Sequence, residues 1–196
     1  MPLYESRKFA ENVIAVPDAL REALVLGPEA VIATLVGLIA DRADRARPLR
    51  LAFDGWYDIE WPAVTAALQR QAAAAGVAAT LRPMVDVFQS REAIDAYKRP
   101  FTETDDPGFG VVNTGGHISD LLEPDKLDAL RAELLGATGV DAVIVYGAGA
   151  AVPELADVYD VRVYFDKTRQ PILWEMWDGK LVPFGWDAPK TDYGWK

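Results

Sequence analysis

The chain has 196 residues, of which 51% are hydrophobic, enough for one ordinary domain with a sizeable core. It carries 20 Lys and Arg against 30 Asp and Glu, and the resulting net charge of −10 argues against nucleic acid and anionic membranes as partners. The chain contains no cysteine, which excludes disulfides, thiolate nucleophiles and zinc–thiolate sites.

The N-terminal part predicts a soluble, cytoplasmic protein that begins with a helical segment. Charges in residues 1–24 interrupt the apolar stretch that a signal peptide needs, and the run Val31–Ala40 is too short to span a bilayer. A helix is predicted after Gly27-Pro28 and ends before Pro48. Its apolar face carries four residues: Val31, Leu35, Leu38 and Ile39.

Alternating strands and helices are predicted next. The apolar run Leu49–Asp54 predicts a buried strand, and a helix follows from about residue 60 to Gly76. That helix has Pro62 in its first turn and three residues on one stripe: Trp61, Val64 and Leu68. A second strand is predicted over 78–88, where Pro83 either breaks it or places it at a sheet edge.

The second half of the chain continues this alternation. A short helix capped by Ser90 precedes a region rich in Pro, Gly and Thr, predicted as loop with a brief strand at 109–112. A helix over 124–136 and two apolar strands, 140–147 and 161–166, follow. The order predicts a three-layer α/β/α domain with a mostly parallel sheet. The tryptophan-rich segment after Trp174 is expected either to pack on this domain or to lead into another one.

Gly147 and Gly149, after the strand at 140–147, raise the question of a nucleotide site. A dinucleotide fingerprint needs a third glycine where Val152 stands, and Pro153–Asp160 is too short for the usual crossover helix. A phosphate loop of the G-x-x-x-x-G-K-[ST] type is absent from the sequence. The glycines are therefore expected to turn the chain, and a nicotinamide-dependent oxidoreductase is disfavoured.

The series of segments from Pro48 to Trp177 resembles the uridine kinase and phosphoribulokinase branch of P-loop kinases. The resemblance is carried by "VIVYGAGAAVPELADVYDVRVYFD", by "DDPGFG" at 105–110 and by "LRLAFDGWYDIEWPAVTAAL". It implies a P-loop kinase-like topology without a Walker A motif. In place of the phosphate loop stand three carboxylates, Asp54, Asp58 and Glu60, and the cationic lid is reduced to Arg169. Such charges would repel a nucleotide triphosphate.

A narrower similarity is to the degenerate kinase-like domain that precedes the cupin domains of long bacterial class I mannose-6-phosphate isomerase-like proteins. "VIVYGAGAA" and "VYFD", followed by an aromatic, glycine-rich tail, carry this similarity. It implies a companion domain of a sugar-phosphate isomerase, with a cupin-type isomerase domain and a sugar phosphate as candidate partners. Neither the zinc ligands nor the isomerase chemistry of the cupins can be assigned to residues of this chain.

Other candidate site residues each have a second interpretation. His117, beside Asp120, is either a general base or a turn cap, and "NTGGHISD" is compatible with an anion-binding nest. Three aspartates end apolar runs and either share a cation or cap turns: Asp54, Asp86 and Asp166. Trp56 and Tyr57 either fill the lost nucleotide pocket or line a new one, with filling favoured. At the sheet edge where the carboxyl ends of the strands meet, the expected cations are Arg82, Lys98, Arg99 and Arg169.

These observations predict a kinase-like α/β domain over 48–177, with a helical segment at 1–47 packing on it and an aromatic tail at 178–196. The predicted function is that of a non-catalytic companion, structural or ligand-sensing, without a cofactor or metal. The alternative is a small-molecule kinase, for a nucleoside or a sugar, with an atypical phosphate loop. The candidate ligand-binding residues are Asp54, Trp56, Tyr57, Asp86, His117, Gly147, Gly149, Asp166 and Arg169.

Overall fold

The structure is a computed structural model and describes residues 15–42, 44–106, 109–186 and 188–189. In chain order its elements are α1 (Asp18–Glu22), α2 (Pro28–Arg42), β1 (Leu49–Gly55), α3 (Trp61–Ala74), β2 (Ala79–Pro83), α4 (Arg91–Thr102), α5 (Pro124–Gly136), β3 (Ala142–Tyr146), β4 (Val161–Phe165) and α6 (Arg169–Trp177). Short 3-10 helices cover Met84–Val87, Ile118–Leu121 and Pro153–Leu155. Parts of the predicted terminal segments, 1–14 and 190–196, and residues 107–108 of "DDPGFG" lie outside the described residues.

The sheet is parallel throughout, in the order β2-β3-β1-β4. Leu51 of β1 pairs with Ile144 of β3 on one side and with Val161 of β4 on the other. The inner strands are apolar on both faces because both faces are covered, as is usual for parallel sheets. The β2 strand lies at one edge and ends at Pro83, which agrees with the edge position predicted from that proline.

Helices cover both faces of the sheet and form two apolar clusters. On one face, α2 and α3 pack against β1 and β3, where Leu51, Phe53 and Ile144 are almost completely buried. On the other face, Ile94 of α4 and Leu134 of α5 belong to a cluster that includes the strand residues Ala52 and Val145. The predicted three-layer α/β/α fold is therefore confirmed. No helix within the described ranges is long and apolar enough to cross a membrane.

The buried stripe of α2 differs from the predicted one. The most buried residues are Ile32, Val36 and Ile39, whereas Val31 and Leu35 are only partly buried. Both stripes have helical spacing, since this helix is apolar around most of its circumference. Its contact with α3 and the sheet decides which stripe turns inward.

Three further boundaries correct the sequence prediction. The second strand stops at Pro83, because the chain then turns into a 3-10 helix at 84–87. The α4 helix continues to Thr102, with Pro100 in its last turn, where few further helical hydrogen bonds are lost. Residues 109–112 form no strand. The Val111 amide instead donates a hydrogen bond to the Phe101 carbonyl near the end of α4, at 2.8 Å.

Candidate functional site

The carboxyl ends of the four strands meet at one edge of the sheet, where a tight turn follows β3. In this turn Gly147 and Gly149 have φ of 122° and 80°, which glycine adopts without strain. The Ala150 amide donates to the Gly147 carbonyl at 3.0 Å, which closes the turn. Alternating backbone conformations of this kind point neighbouring amides toward one spot and create a binding place for an anion.

A carboxylate of the chain itself occupies this place. Asp54, at the end of β1, accepts hydrogen bonds from the Gly149 amide at 2.9 Å and the Ala151 amide at 3.0 Å. It also accepts from the neighbouring Gly55 amide at 2.7 Å. The glycine pair therefore turns the chain, and the turn binds an internal anion through the Gly149 and Ala151 amides. We call the Asp54 carboxylate together with the Gly149 and Ala151 amides the aspartate nest.

The buried side chain of Tyr159 lies near enough to the aspartate nest for the charge of Asp54 to act on it. Its hydroxyl is buried and has no hydrogen-bond partner in the part of the chain that the structure describes. Burial, and secondarily the negative charge of Asp54, raise the pKa of this phenol above its ordinary value. Tyr159 is therefore a neutral neighbour of the nest at any physiological pH.

The loop after β1 holds two aromatic residues in contact. The rings of Trp56 and Tyr57 lie 4.5 Å apart, and the Trp56 backbone amide donates to the Phe165 carbonyl at 3.2 Å. Gly55 is required here, since a Cβ at this position would lie 2.2 Å from the Phe165 carbonyl oxygen. Trp61 packs on the Phe165 ring at 5.3 Å.

A lysine that the sequence analysis overlooked holds this loop to α6. Lys167 donates to the Asp58 carboxylate at 2.8 Å and also contacts the Glu175 carboxylate. The side chains of Lys167 and Asp58 are each 14% exposed, and that of Glu175 is 30% exposed. Lys167 directly follows the aspartate that ends the last strand, and this position at the carboxyl edge was the available sequence signal. We call these three residues the lysine triad.

The two carboxyl groups of the lysine triad differ in acidity. Burial raises the pKa of Asp58, and the hydrogen bond from Lys167 offsets this only in part. Burial also acts to raise the pKa of Glu175, but hydrogen bonds with Lys167 and Asp58 outweigh it and lower that pKa. As the pH falls, Asp58 is therefore protonated before Glu175.

An open cavity of about 490 Å³ lies beside the aspartate nest, over the ends of β2 and β3. Six aromatic residues line it: Tyr57, Trp61, Phe88, Tyr146, Phe184 and Trp186. Tyr57 thus forms part of a cavity wall, whereas the sequence analysis favoured its filling the lost pocket. The volume and the apolar lining are typical of a small-molecule site.

The segment Leu181–Trp186, here called the strap, closes one side of this cavity. Phe184 packs edge-on against Phe88 at 5.0 Å, and its carbonyl accepts from the Lys98 amine at 2.9 Å. The Trp186 indole donates to Asp95 at 3.3 Å and stacks under Arg91 at 3.9 Å. The described part of the tail therefore packs back on the domain, along one face of α4.

The remaining predicted residues lie apart from the aspartate nest. Asp86 is exposed on a 3-10 helix, and Asp166 and Arg169 are exposed after β4. Within the described residues, no group of three or more acidic or histidine side chains is placed to hold a metal ion. The proposed sharing of a cation by Asp54, Asp86 and Asp166 is therefore not reproduced, because Asp54 turns to backbone amides. The other predicted edge cations pair elsewhere: Arg82 with Glu133, Lys98 with Asp95, and Arg99 with Glu103.

His117 is exposed and begins a short 3-10 helix. Its backbone amide donates to the Asp120 carboxylate at 2.9 Å, which also accepts from the Tyr97 hydroxyl at 2.8 Å. These hydrogen bonds lower the pKa of Asp120, the backbone bond from His117 contributing most. The arrangement closes a turn, which is the second of the two interpretations given for this histidine.

Comparison with known proteins identifies a family and gives likenesses to solved structures, two of which are described here. No curated protein matches the chain. A possible uridine kinase from Bacillus stearothermophilus is 16% identical, with a TM-score of 0.48 over 78% of this chain and 84% of that one. Saccharomyces cerevisiae RIF2 is 12% identical, with a TM-score of 0.34 over 72% of this chain and 59% of that one. A family model described as a domain of unknown function, DUF8485, matches residues 31–195, and the chain therefore belongs to the DUF8485 family.

Proposed function

We propose that this chain is a non-catalytic, ligand-sensing domain of kinase-like architecture whose phosphate site is occupied by its own aspartate. The observation that carries the proposal is the hydrogen bonding of the Asp54 carboxylate to the Gly149 and Ala151 amides, at 2.9 and 3.0 Å. In this arrangement the amides that would bind a phosphate already have their acceptor.

Electrostatics supports the same conclusion. A phosphate oxygen at the nest would lie about 4 Å from the Asp54 carboxylate, where two like charges repel by roughly 4 kcal/mol at an effective dielectric constant of 20. To admit the phosphate, Asp54 must rotate away and give up three hydrogen bonds from backbone amides. A triphosphate brings several such charges, so the penalty grows with each of them.

The alternative, a small-molecule kinase with an atypical phosphate loop, requires a cation that reaches the transferred phosphate. Lys167 is placed next to the loop, but its amine is bound by Asp58 at 2.8 Å and by Glu175. Breaking this triad leaves two largely buried carboxyl groups without their cation, which is strongly unfavourable. The geometry therefore favours the sensing function over phosphoryl transfer.

The association with a sugar-phosphate isomerase is part of the proposal and is supported by the sequence resemblance alone. A cupin-type isomerase would be its partner, with a sugar phosphate as a candidate ligand. Mixing the chain with such an isomerase and measuring both association and isomerase activity tests this part. If the isomerase does not associate with this chain and its activity does not change on mixing, this part of the proposal is contradicted.

Calorimetric titration with Mg·ATP tests the proposed loss of the nucleotide site. We expect no binding to the wild-type protein at millimolar ATP. The Asp54→Ala variant provides the positive control, because it frees the amides: inorganic phosphate should raise its melting temperature and leave that of the wild type unchanged. Micromolar binding of Mg·ATP by the wild-type protein would contradict the proposal.

A further inference from the structure

The β4 strand forms an open edge of the sheet. It pairs with β1 on one side, and in the part of the chain that the structure describes no strand pairs with its other side. The Phe165 carbonyl accepts a hydrogen bond from the Trp56 amide at the end of β1, so the backbone groups of Phe165 face β1. Because these groups alternate in direction along a strand, those of Arg162 and Tyr164 face outward. Such an edge is a template on which a further strand can pair.

The exposed side chains of this edge lie on one face of the strand. Partly buried and exposed residues alternate along 161–168, and the exposed set includes Arg162, Tyr164 and Asp166. Tyr164 is 69% exposed. Among the described residues neither Arg162 nor Asp166 has an ion-pair partner, and Tyr164 has no ring contact. The strand also lacks proline, one of the residues that protect natural sheet edges from pairing.

The sequence of this edge is complementary to itself when two copies run antiparallel. With Tyr164 opposite Tyr164 of a second copy, Arg162 lies opposite Asp166 of that copy, and two-fold symmetry repeats the pair. The outward-facing backbone groups then meet as hydrogen-bonded pairs. Centring the strands on Val163 instead places Asp160 opposite Asp166, and centring them on Arg162 places two arginines together. Like charges directly opposite are unfavourable, so the charges select the register centred on Tyr164.

We infer that β4 is a dimerisation edge, on which β4 of a second copy of this chain pairs antiparallel about Tyr164. The two four-stranded sheets then form one continuous sheet, with an Arg162–Asp166 pair on either side of the two tyrosines. Each copy carries a net charge of −10, but salt screens the distant charges more than the pairs in contact. The inference goes beyond the proposed function and is independent of it, since the aspartate nest takes no part in the pairing.

Sedimentation equilibrium with two charge reversals tests both the dimer and its register. The wild-type chain should have the mass of a dimer at submillimolar concentration. Arg162→Asp alone places like negative charges opposite each other, and Asp166→Arg alone places like positive charges opposite each other. Each should weaken association by at least about tenfold. Mixing the two variants places opposite charges together at both positions, so a heterodimer with an affinity close to that of the wild type should form.

The matched control is Arg169→Asp, which makes the same change of charge at an exposed residue of α6, outside β4. It should leave the dimer unchanged, and recovery on mixing shows that both reversed variants are folded. A wild-type chain that is monomeric at submillimolar concentration would overturn the inference. So would a mixture that associates no better than its components, or equal weakening by Arg162→Asp and Arg169→Asp.

Discussion

Replacing Asp54 by asparagine tests the aspartate nest with almost no change in shape. In the wild type one carboxylate oxygen accepts from the Gly149 amide at 2.9 Å and the other from the Ala151 amide at 3.0 Å. Asparagine has one acceptor oxygen, and its NH₂ group would face an N–H. With its oxygen in the place that accepts from Gly149 and Gly55, the variant loses the bond from Ala151, weakens the other two and leaves the Ala151 amide unpaired. Bonds to charged groups contribute about 1.5–3 kcal/mol each, so we expect destabilisation of about 2–4 kcal/mol.

Urea and thermal denaturation measure this loss, which corresponds to a fall in melting temperature of roughly 4–16 °C for a chain of this size. The matched control is Asp86→Asn, because Asp86 is exposed on the 3-10 helix after β2. That control should change stability by less than about 0.5 kcal/mol. If Asp54→Asn stays within the same limit, or if both variants lose equal stability, the Asp54 carboxylate does not hold the turn.

Three other predictions concern the contacts around this edge. The Lys167→Met substitution should lower the free energy of unfolding by about 2–4 kcal/mol, since it leaves Asp58 and Glu175 without their cation. In urea denaturation, adding Asp58→Asn to this variant should recover part of the loss. If the effects of the two substitutions simply add, the triad is contradicted. Hydrogen bonds from Arg45 and the Ala78 amide lower the pKa of Asp141 below its ordinary value near 4, so its stabilisation should be constant above that pH and fall as the pH drops through the lowered pKa. The stability difference between wild type and Asp141→Asn should therefore shrink in acid, and a difference that grows would refute the assignment. The Trp186→Ala substitution should detach the strap and speed hydrogen exchange at the strap amides. The control Trp177→Ala, at a residue that is 65% exposed, should leave this exchange unchanged. Equal exchange rates in the two variants would argue against the contacts of Trp186 with α4.

The strands and most helices were predictable because their signals are local. The β1 and β3 strands are buried on both faces and appear as short apolar runs, and α5 has leucines at helical spacing. The α6 helix was not predicted, because its residues show no strong periodicity and none of them is buried. The stripe of α2 was misplaced because two stripes fit the spacing equally well.

The aspartate nest could not be predicted from the sequence, because it depends on contacts between distant parts of the chain. Asp54 and Gly149 are 95 residues apart, and only the parallel pairing of β1 with β3 brings the end of one strand to the turn after the other. The sequence showed several carboxylates after β1 and a glycine turn after β3. It did not show that one of these carboxylates accepts hydrogen bonds from the amides of the turn. Similarly, the strap depends on contacts between the tail and α4, and no local pattern encodes them.

A crystal structure of the wild-type protein grown with millimolar Mg·ATP tests the central claim most directly. We predict that the Asp54 carboxylate remains within hydrogen-bond distance of the Gly149 and Ala151 amides, at the 2.9 and 3.0 Å described above, with no nucleotide at the turn. A phosphate group ordered on these two amides, with Asp54 rotated away, would contradict the account.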